Sequence, residues 1–210
     1  MEAREDALQS AFGPTSPPDQ VIAPSHPACL GVPGFCLLRF PRAKGRTYWL
    51  YTTHGLAQPS SAAEAKPGHH IGFELSLATK RSVTWPIPLL ETFAAYLIQS
   101  GRPVVVHDRL PSSDLMADGP GGGLLVLAKP GHATRFETTR GTFELLTVVG
   151  ATTGELAAAR ELPGRTGSAV LEAVLHASGI GCVTDRKRTC LTKTTGYRQA
   201  WRRAVEALAD

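Results

Sequence analysis

A run of charged residues near the C-terminus, Asp185-Arg186-Lys187-Arg188, carries three successive cations. Such a group can speed the encounter with an acidic partner through long-range attraction. The whole chain has 22 basic and 18 acidic residues, a formal net charge of +4. This excess is small, and no alternation of aromatic and basic residues accompanies it, so nucleic acid is not the expected partner. We interpret the four residues as part of a surface that binds a protein.

Three consecutive glycines, Gly121-Gly122-Gly123, could bring backbone amides close to a phosphate group. A phosphate-binding loop of this type continues into Lys-Ser or Lys-Thr and a helix N-terminus. Here the glycines precede an apolar, strand-like run at residues 124–127. We therefore predict a loop at residues 111–123 that belongs, with the basic run, to the partner-binding surface.

Titratable and thiol side chains do not form a recognisable catalytic or metal-binding motif. His107 and Asp108 could act as an acid-base pair or as metal ligands, but neighbouring strand residues point to opposite faces. His26, Cys29 and Cys36 lack the close paired spacing of a zinc site. The sequence therefore predicts no metal, no cofactor and no enzyme activity. A hydrolase or transferase that uses His107, Asp108 and a cysteine is the alternative.

Aromatic side chains could supply a further contact. Tyr48, Trp49 and Tyr51 lie on one strand-like segment, and successive residues of a strand face opposite sides. Large aromatic groups anchor many binding surfaces, although they also fill protein cores. We predict that one side of this strand contacts the partner.

These candidate residues need a scaffold of strands and helices. Apolar alternation predicts strands at residues 35–40, 47–52, 73–77, 104–106, 124–127 and 143–149. Helical periodicity predicts helices at residues 89–98, 153–160, 167–176 and 197–208. Because the elements do not alternate as in βαβ units, the sequence predicts an α+β fold: a mixed, mainly antiparallel sheet packed with helices in a single domain. We expect residues 48–52, 73–77 and 143–149 to share one sheet covered by the helix at 89–98.

The pattern of regular elements begins near residue 35. Residues 1–34 contain a short helix-like start and then many prolines, which predicts an irregular segment, whereas residues 35–210 carry the domain. The N-terminus is acidic and polar, and no apolar run approaches the roughly 20 residues of a membrane helix. Four cysteines without C-x-x-C spacing are typical of reduced thiols. We therefore expect a cytoplasmic protein that does not bind a membrane.

Several short motifs lie in a fixed order along the chain. They are T-x-G-L at residues 53–56, G-F-E-L at 72–75, W-P-x-x-L-L at 85–90, T-x-E-L at 153–156 and T-D-x-x-R at 184–188. In this order and spacing they resemble the suppressor of fused family. The resemblance covers about residues 48–188.

This resemblance implies a function as well as a fold. The family is known for binding proteins and not for catalysis, and its longer animal members add a second domain that helps to clamp a transcription-factor peptide. Bacterial members resemble immunity proteins, which neutralise a cognate toxin in the cytoplasm. The resemblance therefore implies a bacterial-type, non-catalytic protein that sequesters a partner protein, either a cognate toxin or a regulatory protein. An adaptor that captures a peptide by strand addition at a sheet edge is a further alternative.

Overall fold

A computed structural model describes residues 17–43, 45–57, 72–102, 104–112, 122–128, 135–138 and 141–209. The chain groups into two compact units. The first unit takes Met1–Pro103 and Ala128–Thr147, and the second takes Val104–Leu127 and Val148–Asp210.

The regular elements of the described residues are numbered in chain order. The strands are β1 (Gln20–Ile22), β2 (Cys36–Phe40), β3 (Trp49–His54), β4 (Phe73–Thr79), β5 (Arg109–Pro111), β6 (Gly123–Ala128), β7 (Arg135–Thr138), β8 (Gly141–Ala151) and β9 (Val183–Thr184). The helices are α1 (Pro27–Leu30), α2 (Pro86–Ser100), α3 (Thr153–Arg160), α4 (Thr166–Ala177) and α5 (Tyr197–Ala207), with a 3₁₀ turn at Leu191–Lys193.

A mainly antiparallel sheet forms the frame of the first unit. Its strands follow the order β1-β2-β3-β4-β8, and β7 pairs with β8. The pairings β1–β2, β2–β3, β3–β4 and β7–β8 are all antiparallel. The segments predicted to share a sheet, β3, β4 and the first part of β8, are therefore neighbours, which confirms that prediction.

Strand β4 is buried on both faces, and its polar side chains bond to other buried groups. All seven of its residues are buried. Ser76 Oγ lies 3.0 Å from Thr147 Oγ1, and the carboxylate of Glu74 accepts hydrogen bonds from the turn after β3. Alternation of apolar and polar residues in this strand thus does not indicate an exposed face.

Helix α2 covers this sheet, as the sequence predicts. Proline stands at its first position, where the missing N–H costs little, and the helix ends before Gly101, whose φ of 62° is left-handed. The N–H of Gly101 bonds to the carbonyl of Leu97 at 2.9 Å. Its buried apolar side, which includes Leu90 and Phe93, packs on β3 and β4.

The segment before residue 35 is more regular than the sequence predicts. It contributes β1 and α1 to the first unit. The carboxylate of Glu91 holds this segment, because it accepts hydrogen bonds from the amide of Ser25, from Ser25 Oγ at 2.8 Å and from the amide of His26 at 2.6 Å. The short helix predicted nearer the N-terminus lies outside the described residues.

The second unit combines short strands with three helices. Strands β5 and β6 pair antiparallel, α3 packs on α4, and α4 packs on α5. Helical periodicity predicts one stripe of Tyr197, Trp201, Val205 and Leu208. The first three pack against a buried apolar cluster, whereas Leu208 follows the end of α5 and is exposed. That cluster includes Leu125, Val149, Leu156, Val170, Leu171, Val174 and Leu175. None of the helices in the described part of the chain has the length and apolar character to span a bilayer.

The strand predicted at residues 104–106 is wrong, because the chain turns there. Asp108 Oδ2 accepts from the amide of Val105 at 3.0 Å, and a side chain that bonds to nearby backbone competes with strand pairing. His107 adopts a left-handed φ of 72°. Its amide bonds to the carbonyl of Val126 at 2.8 Å, and β5 begins only after this turn.

Candidate functional site

The predicted partner-binding run 185–188 forms a tight turn after β9. Asp185 closes this turn: its Oδ1 accepts from the amide of Lys187 at 3.0 Å, and its carbonyl accepts from the amide of Arg188 at 3.2 Å. Lys187 is exposed and Arg186 is partly exposed. The turn therefore presents the cations of Arg186 and Lys187 at the surface of the second unit.

Arg188 faces the interior instead. Its guanidinium meets the carboxylate of Glu155 through two contacts of 2.5 Å each, Nη1 to Oε1 and Nη2 to Oε2. Nη2 also donates to the carbonyl of Gly150 at 2.9 Å. The side chain of Arg188 is only 8% exposed and that of Glu155 is 0% exposed. This corrects the prediction that Arg188 helps to attract a partner, because Glu155 already compensates its charge inside the second unit.

Glu155 collects further hydrogen bonds from the backbone. It stands in the first turn of α3, where it accepts from the amide of Thr152 at 2.9 Å in a reciprocal capping box. The amide of Leu191 donates to its Oε1 at 2.8 Å. Burial by itself would raise the pKa of Glu155, but the hydrogen bonds and charge of Arg188, with these amides, hold it below the ordinary value. The carboxylate is therefore ionised and occupied, and it does not suit general acid-base catalysis.

The two buried cysteines, Cys190 and Cys29, have surroundings that favour a structural role. Thr152 Oγ1 donates to Cys190 Sγ at 2.8 Å, and Thr192 Oγ1 lies 3.0 Å from the same sulfur. Burial, together with the charge of Glu91, raises the pKa of the Cys29 thiol to about 11. An activated cysteine instead needs a neighbouring base or a lowered pKa.

His107 and Asp108, the other groups of the alternative enzyme, are engaged elsewhere in the second unit. His107 Nε2 lies 2.7 Å from Glu172 Oε2. Asp108 Oδ1 accepts from Arg165 Nε at 2.8 Å. Within the part of the chain that the structure describes, no three His, Cys, Asp or Glu side chains are grouped to hold a metal ion. Both residues are therefore bound to other side chains of the second unit.

The glycine run lies at one end of a strand pair. Gly123 opens β6 opposite Pro111 of β5, and the carbonyl of Gly122 accepts from the amide of Ser112 at 3.1 Å. Gly121 and residues 113–120 lie outside the described residues. The predicted loop is therefore anchored at both ends by the β5–β6 pair.

The aromatic strand divides into an inner and an outer part. Tyr51 is fully buried. Its hydroxyl donates to the carbonyl of Val83 at 2.7 Å and accepts from the amide of Val83 at 2.9 Å. Tyr48 and Trp49 are partly exposed. Tyr51 is thus a correction to the predicted contact surface, because its side chain fixes the loop after β4.

Sequence reasoning missed the role of Glu74. Its carboxylate accepts from Thr53 Oγ1 at 2.7 Å and from the amides of Gly55, Ala57 and Leu56 at 2.9, 3.1 and 3.3 Å. Glu74 therefore holds the turn of the T-x-G-L motif. The signal was present as two motifs, T-x-G-L and G-F-E-L, but their contact could not be read from their separation. The role of Glu155 is easier to infer from sequence, because Thr152 and Glu155 have the spacing of a capping box.

The predicted site residues fall into both units. Asp185, Arg186, Lys187, Arg188, Gly122 and Gly123 belong to the second unit, and Tyr48, Trp49 and Tyr51 belong to the first. Contact between a partner and these residues stays a prediction.

Three solved structures resemble the fold. Drosophila Suppressor of Fused matches with a TM-score of 0.66 and 20% identity over 100% of this chain and 53% of that chain, so this chain spans about half of that protein. A Sufu-Fu complex matches with a TM-score of 0.64 and 19% identity over 100% of this chain and 96% of the other. A suppressor of fused homologue from Neisseria gonorrhoeae matches with a TM-score of 0.63 and 12% identity over 90% of this chain and 94% of the other.

These likenesses confirm the fold class, α+β with a mainly antiparallel sheet. A search of curated protein sequences gives no match. The sequence model of the suppressor of fused protein family matches residues 32–189. Since that match covers well over half of the 210 residues, the chain belongs to the suppressor of fused family.

Proposed function

We propose that this chain is a non-catalytic protein-binding domain that sequesters a partner protein in the cytoplasm. Membership of the family supports binding, since a related fold has been solved as a Sufu-Fu complex. The engagement of Glu155, His107 and Asp108 in internal contacts supports the absence of catalysis.

The turn at residues 184–188 carries the proposal. Three specified positions of its T-D-x-x-R motif have internal roles: Thr184 Oγ1 accepts from the amide of Gly150 at 2.9 Å, Asp185 closes the turn and Arg188 binds Glu155. Of the two unspecified positions, Lys187 is exposed and Arg186 is partly exposed. We infer that these internal contacts fix the turn and that it presents Lys187, with Arg186 beside it, toward the partner.

A cationic turn that is fixed by internal contacts suits an acidic partner surface. Its cations act at long range on the association rate, and we propose the loop predicted at residues 111–123, whose ends lie on the β5–β6 pair, as a second contact. The partner is a cognate toxin, in an immunity role, or a regulatory protein. Rescue of growth when the chain is co-expressed with a toxin encoded beside it would distinguish the first role from the second.

The test requires a captured partner and two matched variants. The partner is first captured from native cells and then purified. In the test variant Arg186 and Lys187 are both replaced by Glu. In the control, Arg202 and Arg203, which are exposed on α5, are replaced in the same way, so that net charge changes equally.

The test variant should associate about tenfold more slowly, with a weaker salt dependence, and should keep its melting temperature. Arg188 is left intact, because replacing it would leave the buried Glu155 carboxylate without its counter-charge. Equal slowing in both variants, or unchanged association in the test variant, would show that the turn is not the partner surface.

A further inference from the structure

The segment before β2 covers the outer edge of the sheet in the first unit. It comprises residues 17–30, with β1 and α1, and we call it the strap. We propose that the strap opens separately from the rest of the first unit, with Glu91 as its latch, and that it shields β2 from pairing with strands of other chains. This inference concerns the sheet edge and goes beyond the proposed function.

Without the strap, β2 would be an apolar edge strand. It has five residues, CLLRF, and its other side is paired with β3 along its whole length. Leu37, Leu38 and Phe40 are 1%, 4% and 1% exposed. An apolar edge strand presents unpaired N–H and C=O groups on which a strand of another chain can form. A cover over β2 therefore protects the chain from self-association.

Strand β1 is a much poorer template for another chain than β2. It is only three residues long and pairs antiparallel with residues 37–39 of β2. Pro18 and Pro24 lie two residues before and two residues after it, and proline has no backbone N–H to donate. Very short strands and prolines are among the devices that protect sheet edges in natural proteins. The strap thus replaces an edge that favours pairing with one that resists it.

The strap has little apolar attachment to the first unit. Of residues 17–30, all of which the structure describes, only Cys29 is buried. Val21 and Leu30 are 65% and 62% exposed. Asp19 adds an ion pair with Arg39 at 2.9 Å, but this pair lies at the surface, where such pairs contribute little. Because few buried apolar contacts are typical of segments that open locally, we expect the strap to open before the sheet does.

The carboxylate of Glu91 on α2 is the polar attachment of the strap. It accepts from Ser25 Oγ at 2.8 Å, from the amide of His26 at 2.6 Å and from the amide of Ser25. Burial by itself would raise the pKa of Glu91, but these hydrogen bonds and the charge of His26 hold it below the ordinary value. Since the groups that lower this pKa belong to the strap, the ionised carboxylate and the docked strap stabilise each other.

The chain between the strap and β2 can act as a hinge. Residues 31–34 contain two glycines and a proline, and Gly34 has a left-handed φ of 72°. A glycine absorbs a change of backbone direction there without a steric penalty from a side chain. Phe35, the residue directly before β2, is buried. Opening of the strap can therefore stop at Phe35 and leave the β2–β3 pair intact.

Hydrogen exchange of the full chain in low urea concentrations measures the opening. In the unchanged chain, the amides of residues 17–30 should exchange faster than those of β3 and β4, and their exchange should depend less on urea, because a local opening exposes less surface. Glu91→Gln should speed exchange of the strap about tenfold or more, since a neutral amide oxygen accepts more weakly than a carboxylate. Glu144→Gln makes the same change at an exposed position of the first unit and is the control.

A second variant guards against a folding defect at the buried position 91. Ser25→Ala keeps the carboxylate and removes one hydrogen bond at an exposed residue, so it should speed exchange of the strap about fivefold. Sedimentation velocity then tests the shielding: both latch variants should self-associate more than the unchanged chain, and Glu91→Gln should do so most. The proposal is overturned if the strap opens only together with β3 and β4, if Glu144→Gln opens it as much as Glu91→Gln does, or if the latch variants stay as monomeric as the unchanged chain.

Discussion

Replacing Glu155 by Gln should be the most damaging single isosteric change in the second unit. The glutamine side chain can still accept a hydrogen bond from the backbone N–H of Leu191. It gives Arg188 no counter-charge, however, and the Arg188 side chain is only 8% exposed. Breaking a buried ion pair by removing one partner costs about 3–5 kcal/mol. Since a domain of ordinary stability has about 5–15 kcal/mol to lose, this change removes about a fifth or more of it.

A double-mutant cycle separates the ion pair from other effects of the substitution. Arg188→Met alone leaves the Glu155 carboxylate buried and without its cation, so it should cost a similar amount. The double variant Glu155→Gln/Arg188→Met carries neither charge and should be more stable than the sum of the single losses predicts, by about 2 kcal/mol or more. Urea unfolding, followed by circular dichroism, measures each free energy of unfolding. Additive losses, or a loss below about 1 kcal/mol in Glu155→Gln, would refute a stabilising buried pair.

The same pair predicts how stability depends on pH. The pKa of Glu155 is lower in the folded chain than in the unfolded chain, because Arg188 and the backbone amides outweigh burial. Its stabilisation is therefore fully present above the unfolded pKa of about 4.3 and is lost as pH falls through the folded pKa. Unfolding free energies of the unchanged chain should fall in that acid range, and those of Glu155→Gln should fall less steeply. An equally steep fall of the unfolding free energy with acid pH in both proteins would contradict the lowered pKa of Glu155.

Four further outcomes are expected. Glu91→Gln should lower stability at neutral pH and flatten its loss below about pH 4.3, because hydrogen bonds from the segment before α1 outweigh burial and lower the pKa of Glu91; equal acid limbs would argue against it. Tyr51→Phe should cost about 1–3 kcal/mol in urea unfolding, since both backbone groups of Val83 lose a partner; a loss of a few tenths would contradict this. Gly167→Ala should cost about 2–3 kcal/mol, because its Cβ would lie 1.9 Å from the carbonyl oxygen of Ala159; an unchanged melting temperature would mean that α3 and α4 separate easily. EDTA should leave the melting temperature unchanged, and a marked drop would reveal a structural metal.

Local signals predicted much of the fold. Apolar alternation located β2, β3, β4 and β8, and helical periodicity located α2, which extends beyond the predicted residues 89–98 to Pro86–Ser100. The strand predicted at residues 104–106 failed because a side chain, Asp108, bonds back to the local backbone. Regular structure before residue 35 was missed because the carboxylate that holds it, Glu91, lies more than sixty residues away along the chain.

Charge could not be assigned to the inside or the outside from sequence alone. Arg186, Lys187 and Arg188 are all cationic in the sequence, and the structure pairs Arg188 with a buried carboxylate, 33 residues earlier in the chain. The burial of Glu74 was equally difficult to predict, because a glutamate within an alternating strand is ordinarily solvated. Burial of a charge depends on a partner from a distant segment, and a single sequence does not show which segments meet.

The motifs that carry the family resemblance act in pairs to hold the fold. In the first unit, Glu74 of G-F-E-L binds the T-x-G-L turn, where a Cβ on Gly55 would lie 2.9 Å from Phe35 Cα. In the second unit, Glu155 of T-x-E-L binds Arg188 of T-D-x-x-R. In each pair, a buried carboxylate accepts hydrogen bonds from a loop, so it is not available to bind a ligand. A match to these motifs therefore reports that the chain folds as a family member, and it carries no information about the partner. We therefore expect partner choice to reside at surface positions that the motifs leave open, such as Lys187.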